Sequence, residues 1–82
     1  MVSLFRFLDL DINEKANYVW QGTYIATRTE TDKRILLYNL GEFYAEVVYD
    51  ALNNEITYIK GFRANSHLVP YMNLLPYDSL SL

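Results

Sequence analysis

The stretch YNLGEFYAEVVYD, residues 38–50, decides the fold. Two runs rich in aromatic and β-branched residues flank Gly41-Glu42, and glycine at the first central position suits a type II′ hairpin turn. With that turn fixed, Leu40 faces Phe43, Tyr38 faces Ala45 and Leu36 faces Val47. Glu46 stands alone among Phe, Tyr, Ala and Val in the second run. Its surroundings decide whether it belongs to a site or to the wet face of a sheet.

Working outward, Thr31-Asp32 joins TYIATRTE (23–30) to RILLYNL (34–40), with Glu30 opposite Lys33 at the hairpin end. Ala51-Leu52-Asn53-Asn54 joins FYAEVVYD (43–50) to EITYIKGF (55–62), and an Asn supplies the left-handed backbone that so short a loop needs. Sequential hairpins imply a four-stranded antiparallel meander. One face then collects Ile25, Leu36, Tyr38, Leu40, Phe43, Ala45, Val47, Tyr49, Ile56, Tyr58 and Phe62 as a core. The other collects Tyr24, Arg28, Ile35, Leu37, Tyr44, Glu46, Val48 and Ile59. A slip of one residue would exchange the faces. Gly61 falls opposite Tyr44, an aromatic covering a strand glycine.

Helices are expected on both sides of the sheet in sequence. In DINEKANYVWQG (11–22), Asp11 and Glu14 have capping-box spacing, and Ile12, Ala16, Val19 and Trp20 form one stripe with Trp20 as its anchor. In NSHLVPYMNLL (65–75), Asn65 or Ser66 caps a stripe of Leu68, Tyr71, Met72 and Leu75. Pro70 fits only near the first turn of that helix, and Pro76 ends it. The fold class is α+β: an N-terminal helix, a four-stranded antiparallel β-meander and a C-terminal helix. Both helices are expected on the face bearing Phe43, Val47, Tyr49 and Tyr58. The chain reads as a single domain over residues 1–82, with an ordered core at about 11–75 and a tail at 76–82.

The three runs NEKANYVWQGTYIATR, LYNLGEFYAEVVYDALNNEITYIKGF and LVPYMNLL resemble a family of small bacterial proteins. Their shared pattern is a W-x-x-G-T-style helix end, then L-Y, F-Y-x-E-V-x-Y-D, N-E-I and a closing L-x-P-Y. The helix-to-strand step WQGTYIATR is shorter here than in that pattern. The likeness covers about residues 13–75 and implies a fold but no activity, so no site residue is carried over from it.

Composition narrows the function classes. The 82 residues are 51% apolar and 16% aromatic, ample for a packed core and unlike a disordered chain. Without cysteine there is no disulfide and no thiolate metal site, which fits a cytoplasmic protein. Ten acidic and seven basic residues are scattered, for a net charge of −3, and no basic patch is available to neutralise phosphates. Nucleic acid is therefore not an expected partner. No stretch approaches the roughly 20 apolar residues of a membrane span, so no membrane is expected either. MVSLFRFLDLD at the start is apolar, but Arg6, Asp9 and Asp11 interrupt it and no small-residue cleavage site follows.

Chemistry is sparse. His67 is the one histidine and lacks the H-x-x-x-H partner of a metal site, so it reads as a capping or surface residue. The serines include no G-x-S-x-G elbow, and the three glycines stand apart at 22, 41 and 61 rather than in a phosphate loop. Asp9, Asp11 and Glu14 lack the spacing of a calcium loop and read as helix-start charges. No catalytic residue, metal ligand or cofactor is expected, and the chain reads as no enzyme.

The candidate binding residues are Tyr24, Arg28, Tyr44 and Glu46, a polar pair ringed by tyrosines on the sheet's open face. The plainer reading of Arg28 and Glu46 is a cross-strand surface ion pair, worth about 0.2–1 kcal/mol. The expected function is a small non-catalytic protein-interaction module. It meets another protein or itself, as a homodimer, through that mixed face or an edge strand, since Tyr and Arg are enriched at interface hot spots. The alternative is a small-molecule-binding module with a pocket between sheet and helices, lined by Tyr18, Trp20, Tyr38 and Tyr58.

Overall fold

The computed structural model describes residues 2–63 and residue 71. Two short helices precede the sheet: α1 (Leu4–Leu8) and α2 (Ile12–Val19). Four strands follow, β1 (Thr23–Glu30), β2 (Lys33–Asn39), β3 (Tyr44–Asp50) and β4 (Glu55–Phe62), in the antiparallel order β1-β2-β3-β4. The meander is therefore as the turn chemistry predicts. The expected C-terminal helix lies outside the described residues, Tyr71 excepted.

Local signals explain the elements. Asp11 caps α2 by accepting from the Glu14 amide at 2.9 Å, satisfying a donor the first turn leaves unpaired. Gly41 has φ 98°, which costs a glycine nothing, and the Leu40 amide donates to the Phe43 carbonyl at 2.9 Å across the turn. Asn54 takes the left-handed conformation with φ 55°. Asp50 braces the same loop by accepting from the amides of Leu52 and Asn53 and from the Asn53 side chain. Those bonds, led by the Leu52 amide, hold the Asp50 carboxyl below its ordinary pKa.

An earlier start to the packed chain is one departure from expectation. Ser3 caps α1, and Phe7 on that helix is wholly buried against Phe43, with ring centroids 5.1 Å apart. Phe7 also covers Gly61: a Cβ there would lie 2.9 Å from the Phe7 ring, so only glycine lets helix and strand close. The aromatic over Gly61 is thus Phe7 and not Tyr44. Nor does Trp20 anchor α2. It is 46% exposed, whereas Val19 beside it is fully buried.

The registers of β2 with β3 are as expected throughout, from Lys33 opposite Asp50 to Asn39 opposite Tyr44. Each outer strand, however, carries an irregularity. In β1 the pairing shifts between Tyr24 and Ala26, and in β4 Thr57 is the extra residue between Ile56 and Tyr58. Each inserted residue exchanges the faces beyond it. Tyr24 therefore lies opposite Tyr38, Ile59 opposite Val47, Gly61 opposite Ala45, and Phe62 opposite Tyr44.

Both faces of the sheet carry a core. On one, Phe7, Val19, Leu40, Phe43, Ala45, Val47 and Ile59 are buried beneath α1 and α2, which both pack against β4. On the other, Ala26, Leu37, Tyr44, Phe62 and Tyr71 form a second buried cluster. The face expected to be open is thus covered where Leu37 and Tyr44 lie. Tyr71 belongs to that second face, opposite the one on which both expected helices were placed.

Candidate functional site

Glu46 occupies the centre of β3, opposite Leu37 on β2 and Lys60 on β4. It is 5% exposed, the one charged residue in the described core. Removing a carboxylate from water is costly unless partners replace the lost hydration. Two do so. The Tyr71 hydroxyl donates to Glu46 Oε2 at 2.5 Å, and Arg28 Nη2 approaches the same oxygen at 3.4 Å. Arg28 reaches across from β1, its other amino group bonded to Glu30, and its guanidinium lies 5.5 Å from the centre of the Tyr71 ring.

The electrostatics follow from this packing. Burial works against the charge on Arg28, but the hydrogen bond to Glu30, and then Tyr71 and Glu46, outweigh it and raise its pKa. Burial foremost, and then the bond to Glu46, push the Tyr71 hydroxyl well above its ordinary value, with Arg28 pulling the other way. The phenol therefore stays protonated and keeps donating. Arg28 Nε is buried with no partner among the described residues. Both contacts fall on Oε2 and tie the carboxylate to its own chain. The arrangement fastens residue 71 to the sheet.

Of the residues singled out in the sequence, Arg28 and Glu46 do meet. Tyr44 shares their face but is wholly buried, stacked on Phe62 at 5.9 Å, and burial raises its hydroxyl pKa. Tyr24 does not join them, because the shift at Ile25 turns it to the opposite face. The surface ion pair expected for Arg28 and Glu46 is a largely buried one, and Tyr71 is the partner that sequence reasoning missed. Its place in the stripe Leu68, Tyr71, Met72, Leu75 marked it as apolar-facing, but nothing in the chain links it to a residue 25 positions earlier.

Tyr24 instead completes an aromatic row. Its ring packs edge-on against Tyr38 with centroids 5.7 Å apart, and Trp20 also packs edge-on against Tyr38 at 5.6 Å. Burial, then Tyr49 and Tyr24, raise the Tyr38 hydroxyl pKa. The Tyr24 hydroxyl shares a 2.7 Å hydrogen bond with Thr27 Oγ1, which fixes the ring. Trp20 and Tyr24 nevertheless remain 46% and 51% exposed. The pocket expected from Tyr18, Trp20, Tyr38 and Tyr58 does not form, because Tyr58 lies on the other face, opposite Val48.

Among the described residues no group of three or more His, Asp and Glu could hold a metal ion, and His67 lies outside them. No helix among them is long and apolar enough to cross a membrane. No protein-family model, curated protein or solved structure matches the chain.

Proposed function

We propose that the chain is a small non-catalytic interaction module whose contact surface is the row Trp20, Tyr38 and Tyr24. The observation that carries this reading is the exposure of two large aromatic rings, both packed edge-on against Tyr38. Aromatic anchors held in one rotamer lose little freedom on binding, which is why Trp and Tyr dominate interface hot spots. The Arg28, Glu46 and Tyr71 cluster serves the fold in this reading and leaves the row as the contact. A cytoplasmic setting belongs to the same reading, on the strength of a chain without cysteine.

A second copy of the chain is the first partner to test. Trp20 is the sole tryptophan, so its emission reports directly on the row. Self-association predicts a blue shift with rising concentration, together with a mass above 9.6 kDa by light scattering. Mass and emission that stay constant into the high micromolar range remove the homodimer. A Trp20→Ala, Tyr24→Ala bait that captures the same lysate proteins as the unsubstituted chain removes the row itself.

A further inference from the structure

We infer that the cleft lined by Val2, Ser3, Arg6 and Tyr18 is a binding site for a small organic anion, one carrying a carboxylate or phosphate group on an apolar body. The cleft has a volume of about 410 Å³ and is open to solvent. That volume lies within the range of small-molecule sites. Its chemistry is set by Arg6. The chain has four arginines, and among the described residues three have guanidinium partners: Arg28 with Glu30 and Glu46, Arg34 with Asn54 and the Tyr49 ring, Arg63 with the Glu42 carbonyl. No carboxylate among the described residues lies within ion-pair reach of Arg6, although Asp9 follows it by only three positions.

An unengaged guanidinium beside a concave surface selects anions, and its planar fork matches a carboxylate or a phosphate with two parallel hydrogen bonds. The other walls among the described residues fit the rest of such a molecule. Val2 and the Tyr18 ring offer apolar surface, and the Tyr18 hydroxyl is a further donor. Ser3 holds the geometry, since its Oγ accepts from the Arg6 amide at 3.3 Å and caps the turn that carries Arg6. Tyr18 is fixed from below, where it packs against the buried cluster of Phe7 and Val19. The site thus joins a flexible cation on α1 to a fixed aromatic wall on α2, and it is separate from the row at Trp20.

The test is a nuclear magnetic resonance titration of the full chain with sodium benzoate, phenyl phosphate and, as the neutral counterpart, benzamide. Benzoate or phenyl phosphate is expected to move the Arg6 side-chain Nε–H and the amides of Ser3 and Tyr18 saturably, with a dissociation constant on the order of 1 mM. Benzamide should bind at least about tenfold more weakly, the loss of one charge-assisted contact. Arg6→Gln should weaken the anions to the level of benzamide. Arg6 is exposed, so that variant is expected to keep its melting point, and unchanged amide shifts elsewhere confirm the fold. No saturation with either anion at about ten times that concentration overturns the site. Equal response to benzamide, to chloride, or in Arg6→Gln overturns it as well.

Discussion

The Tyr71 hydroxyl and the Glu46 carboxylate are joined by a 2.5 Å hydrogen bond across 25 residues of chain. Tyr71 is wholly buried and Glu46 nearly so, and the Tyr71 hydroxyl is the shorter of the carboxylate's two contacts, the other being Arg28. Tyr71→Phe is expected to cost about 1–3 kcal/mol, because it leaves a buried acceptor short of a donor. Glu46→Gln should remove much of that sensitivity, so the two changes couple by more than about 1 kcal/mol in a double-mutant cycle. Urea denaturation of the four proteins gives the answer. Additive effects would mean that the bond contributes little.

The same hydroxyl is expected to make stability fall at alkaline pH. Its pKa in the folded chain is raised, chiefly by burial. The unfolded chain ionises first, at the ordinary phenol value near 10. The contribution is therefore fully present below about pH 10 and is lost as the pH rises from there toward the folded value. Tyr38 and Tyr44 are raised in the same direction and add to the fall. Urea midpoints measured upward from about pH 8 should drop above about pH 10, and less steeply in Tyr71→Phe. Parallel curves for the two proteins would show that this phenol titrates normally.

Among the aromatics, position rather than size sets the cost of truncation. Phe7 is fully buried between α1 and the sheet, so Phe7→Ala should cost about 3–5 kcal/mol. Trp20 is nearly half exposed, and Trp20→Ala should cost no more than about 1.5 kcal/mol, the worth of its edge contact with Tyr38. Thermal melts rank the two directly. A larger loss at Trp20 would return it to the role of helix anchor.

Gly61 gives a packing test of the α1 contact. A methyl group there would meet the Phe7 ring and Leu4, so Gly61→Ala is expected to cost about 1–3 kcal/mol by overpacking. In a Phe7→Leu background the smaller side chain makes room, and the added cost of the alanine should shrink. An equal cost in both backgrounds would place the strain in the strand and not in the contact.

Where a local rule governs, the chain declares its structure. Asp11 with Glu14, Gly41-Glu42 and Asn54 each act within a few residues, and the helix start, the central hairpin and the last loop follow from them. The extra residues at Ile25 and Thr57 obey no such rule. They shift the pairing without any turn or cap residue to mark them, so regular alternation put Tyr24, Tyr58 and Ile59 on the wrong faces. Phe7 was masked by Arg6 and Asp9 in a helix of five residues, too short to display a period. Of the candidate site, Arg28 and Glu46 were legible as a diagonal pair across β2. Their burial was not, because the residue that closes over them is distant in sequence.

The two inserted residues bear on more than which way a side chain points. A four-stranded sheet has two outer edges, and every straight edge offers unpaired amides and carbonyls to any passing strand, including one from another copy. Among the described residues both edges are crooked, at Ile25 and at Thr57. An incoming strand could match the hydrogen-bonding groups on one side of the kink or the other but not along the whole length, which is how natural sheets resist growing into fibres. Among the described residues, the kinks thus break up both strand edges while leaving the exposed rings of Trp20 and Tyr24 untouched.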